Sequence, residues 1–204
     1  MIAVAMATYL TLQGPVHAEP DPIKKSRFIA DGTPVAGLDE AKAFVESIQV
    51  RYPDAGHHCF AWRMGQGDLG FRTSDDGEPG GTAGQPILNH IDGARLLGVV
   101  FVVTRYFGGT KLGKGGLIRA YGGTAGEAIR TATIIEVQET ERLTITADYA
   151  DQGTIEGIIR GFGLGIEDAQ YSERVRLSIP VPVEEVATVR ALLIEGTAGR
   201  VIIS

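Results

Sequence analysis

Apolar residues change rhythm along this chain, and each change marks an element. Gly98-Val99-Val100-Phe101-Val102-Val103-Thr104 is an unbroken apolar, largely β-branched run, the pattern of a strand buried on both faces. Beyond it, Leu117, Ala120, Tyr121, Thr124, Ala125 and Ala128 recur at helical spacing and predict a helix starting near Gly116. Upstream, Ser26–Ala30 reads as a strand. Asp39 is placed to cap a helix in which Ala43, Phe44, Ser47 and Ile48 share a face and which Pro53 stops. His57–Met64 and Leu69–Thr73 read as two strands of a hairpin turned by Gly65-Gln66-Gly67-Asp68. Pro86 suits the first turn of a helix whose Ile87, Leu88, Ile91 and Ala94 form an apolar stripe.

After Ile134–Gln138 the pattern changes again. Strand Arg142–Tyr149, helix Gln152–Phe162, strands Gly165–Tyr171 and Arg174–Val181, helix Val183–Ile194 and strand Arg200–Ile203 follow in order. That order is βαββαβ, the ferredoxin-like arrangement. The expectation is an α+β protein of two domains, residues 1–138 and 139–204, divided near Glu139–Glu141.

Composition agrees with that division. A chain of 204 residues with 44% hydrophobic content suffices for two small cores. Through Val137 it carries 13 basic and 14 acidic residues; from Gln138 onward it carries 6 and 11, so the acidity lies in the C-terminal part. Between Gly93 and Arg130 the balance reverses locally, with Arg95, Arg105, Lys111, Lys114, Arg119 and Arg130 against Glu127 alone. Such a local field steers an anionic partner whatever the total charge. Cys59 is the single cysteine, which excludes an internal disulfide and fits a reducing compartment. No apolar run approaches the roughly 20 residues of a membrane span. Met1–Ala18 ends in Val16-His17-Ala18, which resembles a signal-peptidase site. It lacks a basic start, however, and Thr11 and Gln13 interrupt it, so a cytoplasmic protein is expected.

The candidate chemistry sits between the buried run and its helix. From Arg105 to Gly126 there are eight glycines in 22 residues, too many for a segment that only packs. Glycine is costly to order and leaves backbone amides accessible, so this loop is expected where backbone approaches something closely. Strand, glycine loop and helix start in succession aim amide donors and the positive end of a helix dipole into one concavity, a general anion site. The candidate binding residues are Arg105, Tyr106, Gly108, Gly109, Lys111, Gly113, Lys114, Gly115, Gly116 and Arg119. It is not a Walker loop, because Gly115 follows Lys114, and the third glycine of a dinucleotide fingerprint would fall at Ile118. No cofactor is expected. Tyr106 is the candidate for stacking on bases, with Phe107 expected to anchor the loop.

A second candidate is Ser74-Asp75-Asp76-Gly77-Glu78. Asp75, Asp76 and Glu78 could hold a hard cation or divide acid and base roles. The same residue types also make ordinary turns. His57, His58 and Cys59 give a weak zinc pattern, since adjacent strand residues point to opposite faces and two ligands are too few. No metal is expected, and Cys59 reads as core.

Arg105-Tyr106-Phe107-Gly108-Gly109 followed by Leu112-Gly113 and Gly115-Gly116-Leu117-Ile118-Arg119-Ala120-Tyr121 resembles the signature of the IMPACT family, whose bacterial branch is the YigZ type. Lys25-Ser26-Arg27-Phe28-Ile29-Ala30, His57-His58-Cys59-Phe60-Ala61-Trp62 and the run from Ser74 to Leu88 agree with it in order. The chain has His58 and Gln85 where the family pattern has Asn and Lys, which removes one phosphate contact at position 85. The resemblance implies an N-terminal two-layer α/β domain similar to a ribosomal-protein domain, RNase PH, the GHMP kinases and domain IV of elongation factor G, with Tyr9–Leu12 in its first strand. It implies a ferredoxin-like C-terminal domain similar to domain V of that factor. It also implies translation-associated regulation, as in eukaryotic relatives that act on the control of an initiation-factor kinase.

Two classes of function follow. The first is a noncatalytic module that binds RNA, the ribosome or a translation-factor protein through the basic glycine loop. The second is a hydrolase or phosphate-substrate enzyme using Asp75, Asp76 and Glu78.

Overall fold

The computed structural model describes residues 8–64 and 70–204. The expected turn at Gly65–Asp68, and Leu69, lie outside the described residues. In chain order the first elements are β1 (Thr8–Leu12), β2 (Val16–Ala18), β3 (Arg27–Pro34), α1 (Leu38–Arg51), β4 (His57–Arg63), β5 (Phe71–Ser74), α2 (Gly84–Gly93), β6 (Val99–Tyr106), α3 (Lys114–Thr131) and β7 (Ile134–Gln138). The remainder are β8 (Thr140–Ala147), α4 (Gln152–Gly161), β9 (Asp168–Tyr171), β10 (Val175–Pro182), α5 (Val186–Gly196) and β11 (Ile202–Ile203). The chain is thus mixed α+β and divides into two compact units, one of residues Tyr9–Val137 and the other containing Gln138–Ser204.

In the N-terminal unit five strands form a sheet in the order β2-β3-β6-β4-β5, and β1 pairs separately with β7. The central strand β6 runs antiparallel to both β3 and β4. It is nonetheless buried from Val99 to Arg105, as its unbroken apolar run requires. Alternation explains this. Val99, Phe101 and Val103 pack with Ile87, Ile91, Leu117 and Tyr121 of α2 and α3, whereas Val100 and Val102 pack with Ala41, Val45 and Ile48 of α1 on the opposite face. Sheet and α2–α3 are the two anticipated layers, and α1 is added cover on the other side.

The buried face of α1 is Ala41, Val45 and Ile48, while Ala43 and Ser47 are exposed. Asp39 lies inside the first turn, and the Glu40 carboxylate reaches back to accept from the Ala36 amide at 2.9 Å. The buried face is rotated from the expected one because Val45 packs with Val100 and Val102, while Phe44 is only partly buried beside them. α3 starts two residues before Gly116.

In the C-terminal unit the four-stranded order β11-β8-β10-β9 places the first and third strands at the centre. Leu143, Ile145, Leu177 and Ile179 face one way and meet Ile155 and Ile159 of α4 and Val189 and Leu193 of α5. This is the βαββαβ arrangement. Its elements match the sequence pattern, with β11 reduced to two residues. No helix among the described residues is long and apolar enough to cross a membrane.

Candidate functional site

The last residues of β6 carry the chain out of the sheet at Arg105, whose side chain stays inside the protein. Arg105 is 5% exposed and donates from Nη1 to Glu78 Oε1 at 2.6 Å. The same carboxylate oxygen accepts from the hydroxyl of the fully buried Tyr121 at 2.6 Å. Nη2 lies 3.5 Å from Ser26 Oγ, and Nε is buried without a partner among the described residues. Phe28 and Phe107 flank the guanidinium, with centroids 5.5 and 5.4 Å away. A buried ion pair held this way costs desolvation that its hydrogen bonds offset, and it fixes geometry more surely than it adds stability.

The acidic loop is bonded to itself and to β4. Asp75 accepts amide hydrogens from Gly81 at 2.8 Å and from Ala83 and Gly84 at 2.9 Å. Burial pushes its carboxyl upward, but the amides of Gly81, Gly84 and Ala83 outweigh that and hold it below its usual 3.8. Asp76 Oδ2 accepts from the His58 amide at 2.6 Å, and the Asp76 carbonyl accepts from His57 Nδ1 at 2.7 Å. The Cys59 thiol donates to the Asp75 carbonyl at 3.0 Å and is fully buried. Burial, first, and the nearby carboxylates push it up to about 12. It is a core thiol, inert as a nucleophile. Among the described residues, no group of three or more His, Cys, Asp and Glu side chains could hold a metal ion.

The glycine loop and the end of the acidic loop enclose a cavity of about 430 Å³. Its lining includes Glu78 and Arg105, Lys111 and Lys114, and the apolar Phe107, Leu112 and Leu117. Gly113 also lines it and precedes α3 with φ +74°, a left-handed conformation that favours glycine. Among the described residues no side chain caps this helix start. Lys111 and Lys114 are exposed and, among the described residues, form no ion pair, whereas Arg130 is occupied by Glu127. The cavity's charged side chains therefore sum to an excess of positive charge, at the end of a helix that favours anions.

The sequence-derived residues separate at this point. Arg105, Lys111, Gly113 and Lys114 come together at the cavity; Tyr106, Gly108, Gly109, Gly115, Gly116 and Arg119 are not part of its wall. Tyr106 stands apart from the cavity: its hydroxyl donates to Asp54 at 2.9 Å and Arg27 lies over one face of its ring. Gly108 is a correction. It approaches this protein's own backbone, since a Cβ there would stand 2.0 Å from the Lys25 carbonyl carbon, and its amide donates to Ser26 Oγ at 3.0 Å. Asp75 and Asp76 brace the loop, and Glu78 alone of the three carboxylates reaches the cavity. Phe107, expected to anchor the loop, is 57% exposed and lines the cavity instead. Ser26 and Tyr121 were missed as site residues, although both stand within the quoted motifs.

Comparison with known proteins bears on this constellation. The family model described as the Impact N-terminal domain matches residues 24–129, more than half of the chain, and spans every residue of the cavity. This chain belongs to the IMPACT family. Residues 145–200 match a second model, described as a domain of unknown function. The chain is 39% identical over 198 residues to the IMPACT family member YigZ of Escherichia coli (strain K12), covering 95% of this chain and 96% of that one. It is 38% identical over 178 residues to the IMPACT family member YvyE of Bacillus subtilis (strain 168), covering 87% and 82%. A solved structure described as that of a hypothetical protein superimposes with a TM-score of 0.74 at 36% identity, covering 96% of both chains. The likeness to these proteins therefore extends through both units of the chain.

Proposed function

We propose that this IMPACT-family protein is a translation-associated regulator that binds RNA, free or within the ribosome, through the cavity at the start of α3, without catalysis. The observation that carries the reading is the pairing state of the charges. Arg105 is neutralised by Glu78, while among the described residues Lys111 and Lys114 have no ion pair and no side chain caps the helix start beside them. Phosphate is the anion that such a basic, amide-rich surface suits, and RNA presents it repeatedly. A hydrolase built on the acidic loop has less support. Asp75 is saturated by three amides, Asp76 is held by the His58 amide, and Glu78 is occupied by Arg105 and Tyr121.

The test is co-sedimentation with ribosomes and with free RNA over a salt series, comparing the native chain with Lys111→Ala/Lys114→Ala. Binding that weakens steeply with salt, with a slope reduced by about 1 to 2 in the double variant, supports the reading. Binding unaffected by salt, or unchanged in a folded double variant, rejects it.

A further inference from the structure

We propose that the cavity takes a nucleoside 5′-monophosphate group, its phosphate against Lys111, Lys114 and the first turn of α3 and its base on Phe107. The group is either a free nucleotide or the 5′ end of a single-stranded RNA. This inference rests on the phosphate-binding part of the reading above and narrows it to a phosphomonoester carrying its nucleoside.

The shape of the cavity argues for an end. Part of its wall is the Arg105–Glu78 pair, 5% and 9% exposed and 2.6 Å apart, so this pair offers a passing strand no free cation. Tracking an internal stretch requires an open groove with cations and stacking platforms in succession. Here two lysines three residues apart serve one cavity. Its volume of about 430 Å³ is that of a small-molecule site.

The charge also argues for an end. A phosphomonoester carries roughly −1.5 to −2 charges at neutral pH and three acceptor oxygens, more than an internal diester offers. Facing it are two lysines without an ion pair and the amides of an 18-residue helix without a side-chain cap, both among the described residues. Arg105 lines the cavity beside them but is already held by Glu78 and Ser26, so the lysines and the helix start make the contacts to the phosphate.

The apolar part of the wall argues for the nucleoside. Inorganic phosphate would satisfy the lysines and leave Phe107, Leu112 and Leu117 uncovered. Phe107 is 57% exposed with the Arg105 guanidinium over its ring, which leaves aromatic surface for a base. Stacking on such a platform contributes about 1–3 kcal/mol per base, and this tolerance of any base is why no particular nucleoside is assigned.

The experiment measures equilibrium binding of the full chain to a short single-stranded RNA labelled at its 3′ end, carrying either a 5′-monophosphate or a 5′-hydroxyl, with a nucleoside 5′-monophosphate as competitor and as a ligand in its own right. The expected result is about tenfold or more tighter binding of the phosphorylated RNA, displacement by the nucleotide, and loss of the difference in Lys111→Ala/Lys114→Ala. Phe107→Leu should weaken both phosphorylated ligands while leaving the melting temperature near that of the native chain, which provides a second variant independent of the lysines. Nucleotide binding with neither RNA bound would support the cavity assignment, identify the free nucleotide as its source and reject RNA binding. Equal, salt-dependent binding of the two RNAs would overturn the end-recognition inference and leave the backbone-contact reading standing. No binding of any probe by the folded chain would overturn both.

Discussion

Arg105 shows what one residue contributes here. With Glu78 it forms an ion pair that water barely reaches, and removing one partner leaves the other charge buried and uncompensated. Arg105→Met should lower the unfolding free energy by about 3–5 kcal/mol in a denaturant titration, and Arg105→Met/Glu78→Leu should be less destabilised than the single variant. The pairing also explains what the sequence could and could not show. Lys111 and Lys114 were legible as an anion site because glycine spacing and charge are local properties. Glu78 lies 27 residues from Arg105, and only the sheet brings them together. The titrating groups around this pair set a pH window. Cys59 and Tyr121 have raised values in the folded state, first through burial. Above pH 9.0 the unfolded thiol ionises while the buried one does not, so stability should fall as pH rises from there towards about 12. Asp75 behaves oppositely. Its lowered value contributes stability above pH 3.8 that is lost as pH falls through the folded value. Thermal melts across pH should show a plateau between these limits, and Asp75→Asn should blunt its acid edge.

At the scale of elements, β6 and α3 are joined by a loop whose glycines have unequal duties. Gly108 lies flush against Lys25 and Ser26, so Gly108→Ala forces the loop off the residues that precede β3 and should cost about 1–3 kcal/mol in a urea titration. The fold was largely legible at this scale because its elements advertise their period. The continuous run of β6 announced burial on both faces, and every residue expected on the inner face of α3 is buried. Position within an element was harder to read. The α1 face was misplaced because Ala43 and Val45 are similarly apolar, and only the packing against Val100 and Val102 decides between them. The same limit applies to the aromatic pair after Arg105, where strand alternation alone does not reveal that Tyr106 bonds to Asp54 while Phe107 lines the cavity.

For the molecule as a whole, all cavity residues fall within Tyr9–Val137, and the core of that unit is separate from the one around Leu143, Ile155 and Leu177. A fragment of residues 9–137 should therefore fold and keep the affinity of the full chain for a phosphorylated probe within about threefold, as isolated domains with their own cores do. Calorimetry and binding on the same preparation would check it, and an unfolded fragment would show that the core is incomplete without the rest. The seclusion of Cys59 has a practical side. Because the chain's one sulfhydryl is sealed beneath the acidic loop, a cysteine introduced on the surface would be the sole target of a maleimide dye under native conditions. The wild-type sequence already serves as a silent background for placing a fluorescent reporter at the rim of the cavity.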